Sequence, residues 1–232
     1  LRFDGLLDEL VAELPALRRP VAQHPLASPV ARRMQAATLP FSPAFITPMA
    51  AVAGAVADEV LSVMTRPDLT RAYVNNGGDI ALFLAAGEQF SVAMPHGRIT
   101  LTADGLVRGV ATSGWRGRSW SLGIADNVTV LAHTAAAADA AATMIANAVD
   151  LPGHPAIERA PASDLSPDSD LQDRLVTTAV GRLSVADTEA ALDAGAALAK
   201  TLTQCGLIQA AALSLNNEHR LTGDYMKELH HA

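Results

Sequence analysis

Ligand-holding residue types concentrate in two short stretches of the chain. The first, Tyr73-Val74-Asn75-Asn76-Gly77-Gly78-Asp79-Ile80, leaves an apolar run for two amides, two glycines and a carboxylate, then returns to Ala81-Leu82-Phe83-Leu84. Adjacent glycines permit positive φ and let a ligand approach the main chain without a Cβ in the way, while Asn75, Asn76 and Asp79 offer donors and acceptors. The same stretch also reads as a hairpin turn, because Asn-Gly is the strongest short hairpin signal. The second stretch, Gly109-Val110-Ala111-Thr112-Ser113-Gly114, has the composition of an oxygen-and-amide loop and runs into Arg116-Gly117-Arg118-Ser119. Arginine forks match phosphate and carboxylate geometry. Trp115 and Trp120 bracket this segment, placed either to stack on a planar ring or to pack beneath the loop. Asp126 supplies a further carboxylate, a candidate catalytic group just before an apolar run.

Further on, Asp139 and Thr143 lie one helical turn apart in Ala138-Asp139-Ala140-Ala141-Ala142-Thr143, on one face of a helix. A carboxylate and a hydroxyl suit a hard cation such as Mg²⁺, with water or phosphate oxygens filling the remaining positions. The alternative is an aspartate placed favourably in a helix dipole, with Thr143 bonding back to its own helix. His24, His96, His133 and His154 have no zinc-motif spacing, and the chain carries no nucleophile elbow, phosphate-binding Walker loop or Gly-x-Gly-x-x-Gly fingerprint.

These residues must be positioned by elements whose character follows from composition. Hydrophobic residues make up 50% of the 232 and aromatics only 4%, so the core is built from Ala, Val, Leu and Ile. Helical spacing predicts helices over 3–13, 30–38, 49–61, 135–147 and 184–202, the second opened by Ser28-Pro29. Pro15 and Pro20 are expected to end the first. The third consists of small residues, which allow close approach of a backbone or a ligand. Between 71 and 131 the pattern changes to short strands at 72–74, 80–84, 90–93, 99–102, 106–111 and 128–131, separated by Gly, Asn, Asp and Pro. Short connections imply an antiparallel-rich mixed sheet packed with helices, an α+β class. A proline-rich crossing over 152–167, a closing strand at 208–215 and a frayed tail from Asn216 complete a single domain. Within it, 1–40 form N-terminal helices, 41–150 the motif-bearing core and 151–215 the C-terminal helices and closing strand.

A net charge of −7 without a basic run argues against a nucleic-acid groove. Apolar runs fall short of the roughly 18 residues a membrane span needs. The single Cys205 fits a reducing, cytoplasmic compartment. Arg32 and Arg33 form an adjacent cationic pair, solvated or phosphate-binding. The alanine-rich helices suggest a homodimer interface.

Taken in order, Asn75-Asn76-Gly77-Gly78-Asp79-Ile80, Ala111-Thr112-Ser113-Gly114 and Val128-Thr129-Val130 followed by Ala138 to Thr143 resemble the ApbE-like superfamily, whose characterised members are magnesium-dependent FAD:protein FMN transferases. The likeness covers roughly residues 48 to 150. More closely, Phe45-Ile46-Thr47-Pro48-Met49-Ala50, Val74 to Ile80 and Arg116 to Ser119 look like uncharacterised protein family 0280. The resemblance implies a ligand site between sheet and helices. It also implies that Asp139 and Thr143 match the transferase metal ligands, with a main-chain carbonyl from the Gly54 to Ala57 helix as a third. The transferases carry a His-x-x-Asp-Pro stretch where this chain has Ser119 to Asn127, and a lysine in the small-residue helix where it has Ala57 or a neighbour. The expectation is therefore an enzyme acting on a flavin, nucleotide-like or other anionic small molecule with Mg²⁺ and FAD as candidate cofactors. In that reading Asn75, Asn76, Gly77, Gly78, Asp79, Thr112, Ser113, Gly114, Arg116 and Arg118 hold the ligand, and Asp139 and Asp126 are the catalytic candidates. The alternatives are a non-catalytic flavin-binding or carrier protein, or an interaction protein.

Overall fold

The computed structural model describes residues 2–94 and 97–224. The helices are α1 (Leu6–Leu17), α2 (Pro29–Thr38), α3 (Val52–Met64), α4 (Ala135–Ala148), α5 (Ala162–Leu165) and α6 (Val185–Gln204). The strands are β1 (Arg71–Asn76), β2 (Asp79–Leu84), β3 (Gln89–Met94), β4 (Gly97–Thr102), β5 (Gly109–Ser113), β6 (Asn127–Ala132), β7 (Ile157–Pro161), β8 (Leu175–Val180), β9 (Ala210–Leu215) and β10 (Glu218–Thr222). Local chemistry sets the helix starts. Ser28 accepts a hydrogen bond from the Ala31 amide at 3.2 Å with Pro29 beginning α2, and Thr134 accepts from the Ala137 amide at 3.1 Å to begin α4. Ser184 and Asp187 form a reciprocal capping box on α6.

Six strands form one sheet in the order β1-β2-β5-β6-β9-β10, every neighbouring pair antiparallel. Side-chain alternation sorts its two faces. Leu82, Val110, Leu131, Ala210 and Ala212 point one way and are covered by the β3–β4 hairpin through Val92, Met94, Ile99 and Leu101. Ala111, Val128, Val130, Ala132, Ala211 and Leu213 point the other way onto α4 and α6, joined by Ile145, Ala141 and Leu192. Outside α4, helices α1 and α2 add Leu6, Leu10, Leu17, Val30 and Met34 against Ala51, Ala55, Ala136 and Ala140. Burying a Leu or Ile side chain contributes about 1.5–3 kcal/mol, so these clusters hold the helical layer to the sheet.

Small residues let that layer sit close. A Cβ on Gly54 of α3 would run into the backbone of Ala135, and one on Gly109 of β5 into the backbone of Thr134. Both glycines therefore press on the first turn of α4. Tight packing is the reason for the small side chains of α3 at this crossing, and it brings the N-terminus of each helix to a carboxylate of the other.

Several expectations are corrected. The first helix runs through Pro15 to Leu17 rather than stopping at residue 13. In the last turn proline removes one intrahelical bond, and the fully buried Leu17 holds the turn in place. The strand expected at 106–111 begins only at Gly109. Before it, the Arg108 side chain donates to the carbonyls of Ala103, Gly105 and Val107, curling that segment into a loop. The crossing over 152–167 contains β7 and α5, and β7 pairs with the unforeseen β8. The tail from Asn216 is not frayed up to residue 222. Asn216 and Asn217 take positive φ of 50° and 64° in a two-residue turn, and polar β10 closes the sheet as an edge strand. The expected tail from residue 225 onward lies outside the described residues, as does His96. Of the adjacent pair Arg32 and Arg33, Arg32 donates to the Ala27 carbonyl, and Arg33 pairs with buried Glu59 at 3.2 Å.

Candidate functional site

A cleft of about 730 Å³ opens where the β1–β2 turn, the loop after β5, and the starts of α3 and α4 converge. That is within the range of small-molecule sites. Helices α3 and α4 cap each other beside it. Asp58 of α3 accepts from the amides of Ala135 and Ala136 at 3.0 and 2.9 Å, satisfying the start of α4. In return Asp139 of α4 accepts from the Gly54 amide at 3.0 Å, at the start of α3, whose own N-cap residue Ala51 has no side chain able to do so. The helix-dipole reading of Asp139 thus holds, but for the neighbouring helix rather than its own.

Asp79 begins β2 directly after the turn and is buried with one carboxylate oxygen accepting from the Thr112 amide at 3.3 Å. Burial raises it from the usual carboxylate value to about 6, against the opposing pull of the Thr112 amide and the Arg118 charge. Asp139 is pushed well above the usual range, first by burial and then by the negative charge of Asp79, with the Gly54 and Ala53 amides opposing. Two carboxylates therefore repel each other in a partly desolvated floor. Among the described residues no three His, Cys, Asp or Glu side chains cluster as a metal site. The further oxygen donors here are neutral: the Thr143 hydroxyl, which lines the same cleft, and the Ala53 carbonyl, which already accepts from the Asn76 amide at 3.1 Å.

The loop after β5 forms the rim. Arg118 lies over Gly77 so closely that a Cβ there would strike its guanidinium, and Gly77 itself has φ of +72°. Arg116 pairs with Asp126 at 3.2 Å and lies 4.9 Å from the centre of the Trp115 ring. Asp126 also accepts from the Asn216 amide at 2.8 Å. This catalytic candidate is therefore occupied in anchoring Arg116 and the β9–β10 turn. The Thr112 hydroxyl shares a 2.8 Å hydrogen bond with Thr129, which steadies β5 against β6.

Of the residues singled out from sequence, Asn76, Gly77, Asp79, Thr112, Ser113, Gly114, Arg116, Arg118, Asp126, Asp139 and Thr143 all line this cleft. Asn75 and Gly78 do not. They build the turn, the Asn75 side chain accepting from the Gly78 amide at 2.9 Å. The hairpin reading is thus correct, and Asn76, Gly77 and Asp79 of the same stretch face the cleft. Trp120 lines the cleft and is 41% exposed, whereas Trp115 does not line it and its indole nitrogen is buried without a partner among the described residues. Three contributions were missed. Asp58 carried no motif. Asn127, on the cleft wall, has a side-chain oxygen that is buried and unpartnered among the described residues. Ser166, Ser169, Asp170 and Leu171 reach the cleft from the segment after α5, and only their polarity hinted at it.

Comparison with known proteins follows the same lines. A UPF0280 protein of Methanopyrus kandleri is 39% identical over 149 residues, 61% of this chain and 59% of that protein. A UPF0280 protein of Methanothrix thermoacetophila is 36% identical over 155 residues, 62% of this chain and 63% of its own length. One of Methanocella arvoryzae is 34% identical over 159 residues, 64% and 63% of the two chains. The chain thus spans less than two thirds of each of these relatives. The family model described as AbpE bacteria matches residues 1–221, nearly all of the chain, with the cleft and both capping aspartates inside the match, and the chain belongs to that family.

Proposed function

We propose that the cleft binds an anionic, nucleotide-like small molecule together with Mg²⁺, with FAD as the first candidate, and acts on it as an enzyme. The observation that carries this reading is the facing pair Asp79 and Asp139, both raised by burial and set beneath a rim that bears Arg116 and Arg118. Paired carboxylates at the floor favour a divalent cation, and the neutral oxygens beside them, from Thr143 and Ala53, have the hardness Mg²⁺ prefers. With few protein ligands in reach, phosphate oxygens of a substrate would complete its shell. Asp139 and Thr143 would hold it, and when bound it would supply charge neutralisation at a phosphoryl oxygen.

The chain's own groups divide the remaining work. Arg118, beside Asp79 and over Gly77, is placed to accept a phosphate bidentately, as is Arg116 from its anchor on Asp126. Trp120 offers an exposed ring face for a planar heterocycle. Asp79, with a value of about 6, takes or gives a proton near neutral pH.

A second reading, a flavin-binding or carrier protein without turnover, is favoured by one observation. The segment Ser119 to Asn127 has no histidine, and its Asp126 is engaged with Arg116 and Asn216. Calorimetric titration with FAD, with and without Mg²⁺, on the wild type and on Asp139→Ala tests the site. Magnesium-dependent binding that disappears in the variant is expected. Undiminished binding in Asp139→Ala would sink the reading, and tight binding without any product over time would select the carrier alternative. Because Asp79, raised by burial to about 6, gains its charge beside the cation site as pH rises, magnesium binding is expected to strengthen from pH 5 to pH 7.

A further inference from the structure

The segment from Ser166 to Arg174 reaches the cleft and is tied down along its length. Asp168 pairs with Arg18 at 3.8 Å, and the Arg174 guanidinium lies 3.2 Å from the centre of the Phe45 ring. Between these points the hydroxyl of buried Thr47 donates to one carboxylate oxygen of Asp170. Successive turns, Ser169 amide to Ser166 carbonyl at 2.9 Å and Gln172 amide to Ser169 carbonyl at 3.2 Å, stiffen it from within. Ser166, Ser169 and Asp170 line the same cleft as the arginines.

The carboxylate of Asp170 therefore differs from Asp126, which is paired with an arginine. Its Thr47 bond uses one of about four acceptor sites, so most of its capacity remains. A carboxylate held by Thr47, in a cleft whose lining cations Arg116 and Arg118 come from the loop after β5, matches neutral hydroxyl donors rather than an anion. We infer that Asp170 recognises the ribose 2′,3′-diol of a nucleoside diphosphate whose phosphates lie toward Arg116 and Arg118, making Asp170 the residue that sets specificity for a ribose. A carboxylate accepting from ribose hydroxyls is the arrangement other nucleotide sites use. This inference rests on the nucleotide reading of the cleft.

The test is calorimetric affinity for ADP and for 2′-deoxy-ADP, both with Mg²⁺. The wild type is expected to favour ADP about tenfold, the typical effect of losing a hydrogen bond to a charged acceptor. Asp170→Ala is expected to bind the two equally, and Thr47→Val, which keeps the carboxylate but releases it, to discriminate less than the wild type. Arg118→Met should weaken both nucleotides alike and leave their ratio unchanged. A loss of structure would change both affinities together, so the ratio isolates recognition from folding. Binding of both nucleotides without discrimination by the wild type, or unchanged discrimination in Asp170→Ala, would overturn this inference and leave the reading of the cleft standing. Binding of neither nucleotide by a wild type that does bind FAD would overturn this inference alone, and binding of none of the three by the folded protein would overturn both.

Discussion

Asp58 and Asp139 hold the same position in a two-helix crossing, each carboxylate reaching from one helix to the amides at the start of the other, yet their surroundings divide them. Asp58 takes two amide hydrogen bonds against α4, beside the Gly54 contact. Burial raises it while the two amides hold it down. Asp139 takes the Gly54 amide and then meets a cleft, with Asp79 as a repelling neighbour that raises it further. One carboxylate is a finished structural cap. The other is a cap whose ionised form burial and Asp79 disfavour. In the proposed reading of the cleft, that unfavourable charge is what a bound cation would relieve.

The comparison can be broken or sharpened by substitution. The largest effect is expected at their shared contact. Gly54→Leu would force a side chain into the Ala135 backbone and separate the helices, destabilising the fold by about 3 kcal/mol and removing both caps together, as read by thermal denaturation.

Next comes the acid that makes Asp139 unlike Asp58. Asp79 keeps its proton up to about pH 6 when folded, against 3.8 for the ordinary carboxylate. The stability this contributes is fully present below pH 3.8 and is lost as pH rises through about 6. Asp79→Asn is therefore expected to raise stability at pH 7 by up to about 3 kcal/mol and to leave it nearly unchanged at pH 3. Urea unfolding at the two pH values measures this, and equal effects at both would remove the ionised Asp79 from the account. The same variant should weaken magnesium binding.

Asp58→Ala strands two buried amides and is expected to cost about 2 kcal/mol while leaving the affinity for FAD as it was. A parallel loss of ligand affinity would erase the distinction between the two aspartates. Smallest of all, Arg116→Ala breaks an ion pair whose arginine is 65% exposed, so stability should fall by less than about 1 kcal/mol in a denaturation experiment, and only ligand affinity should register the change.

The sequence by itself determined the local devices. Ser28-Pro29 and Ser184 mark helix starts through the reach of a hydroxyl to an amide three residues on, and the paired glycines at 77 and 78 turn a hairpin through their positive φ. Short β-rich runs between turn residues foretold most of the strands of an antiparallel α+β fold, and the stretches 75–79, 112–118 and, on α4, 139–143 held about half of the residues that line the cleft. These are readable because their physics acts between near neighbours in the chain. Only the tertiary structure decided which of Asn75 and Asn76 faces the cleft, since that depends on the register of β1 against α3. The pairing of β7 with β8, the use of Asp126 as an anchor, and the approach of the Ser166 to Leu171 segment to the cleft belong to the same class. So does the bond from Gly54 to Asp139, which joins residues 85 positions apart. Such contacts leave no periodic trace in either partner, because what places a carboxylate beside a distant amide is the close packing of two helices whose small residues allow it.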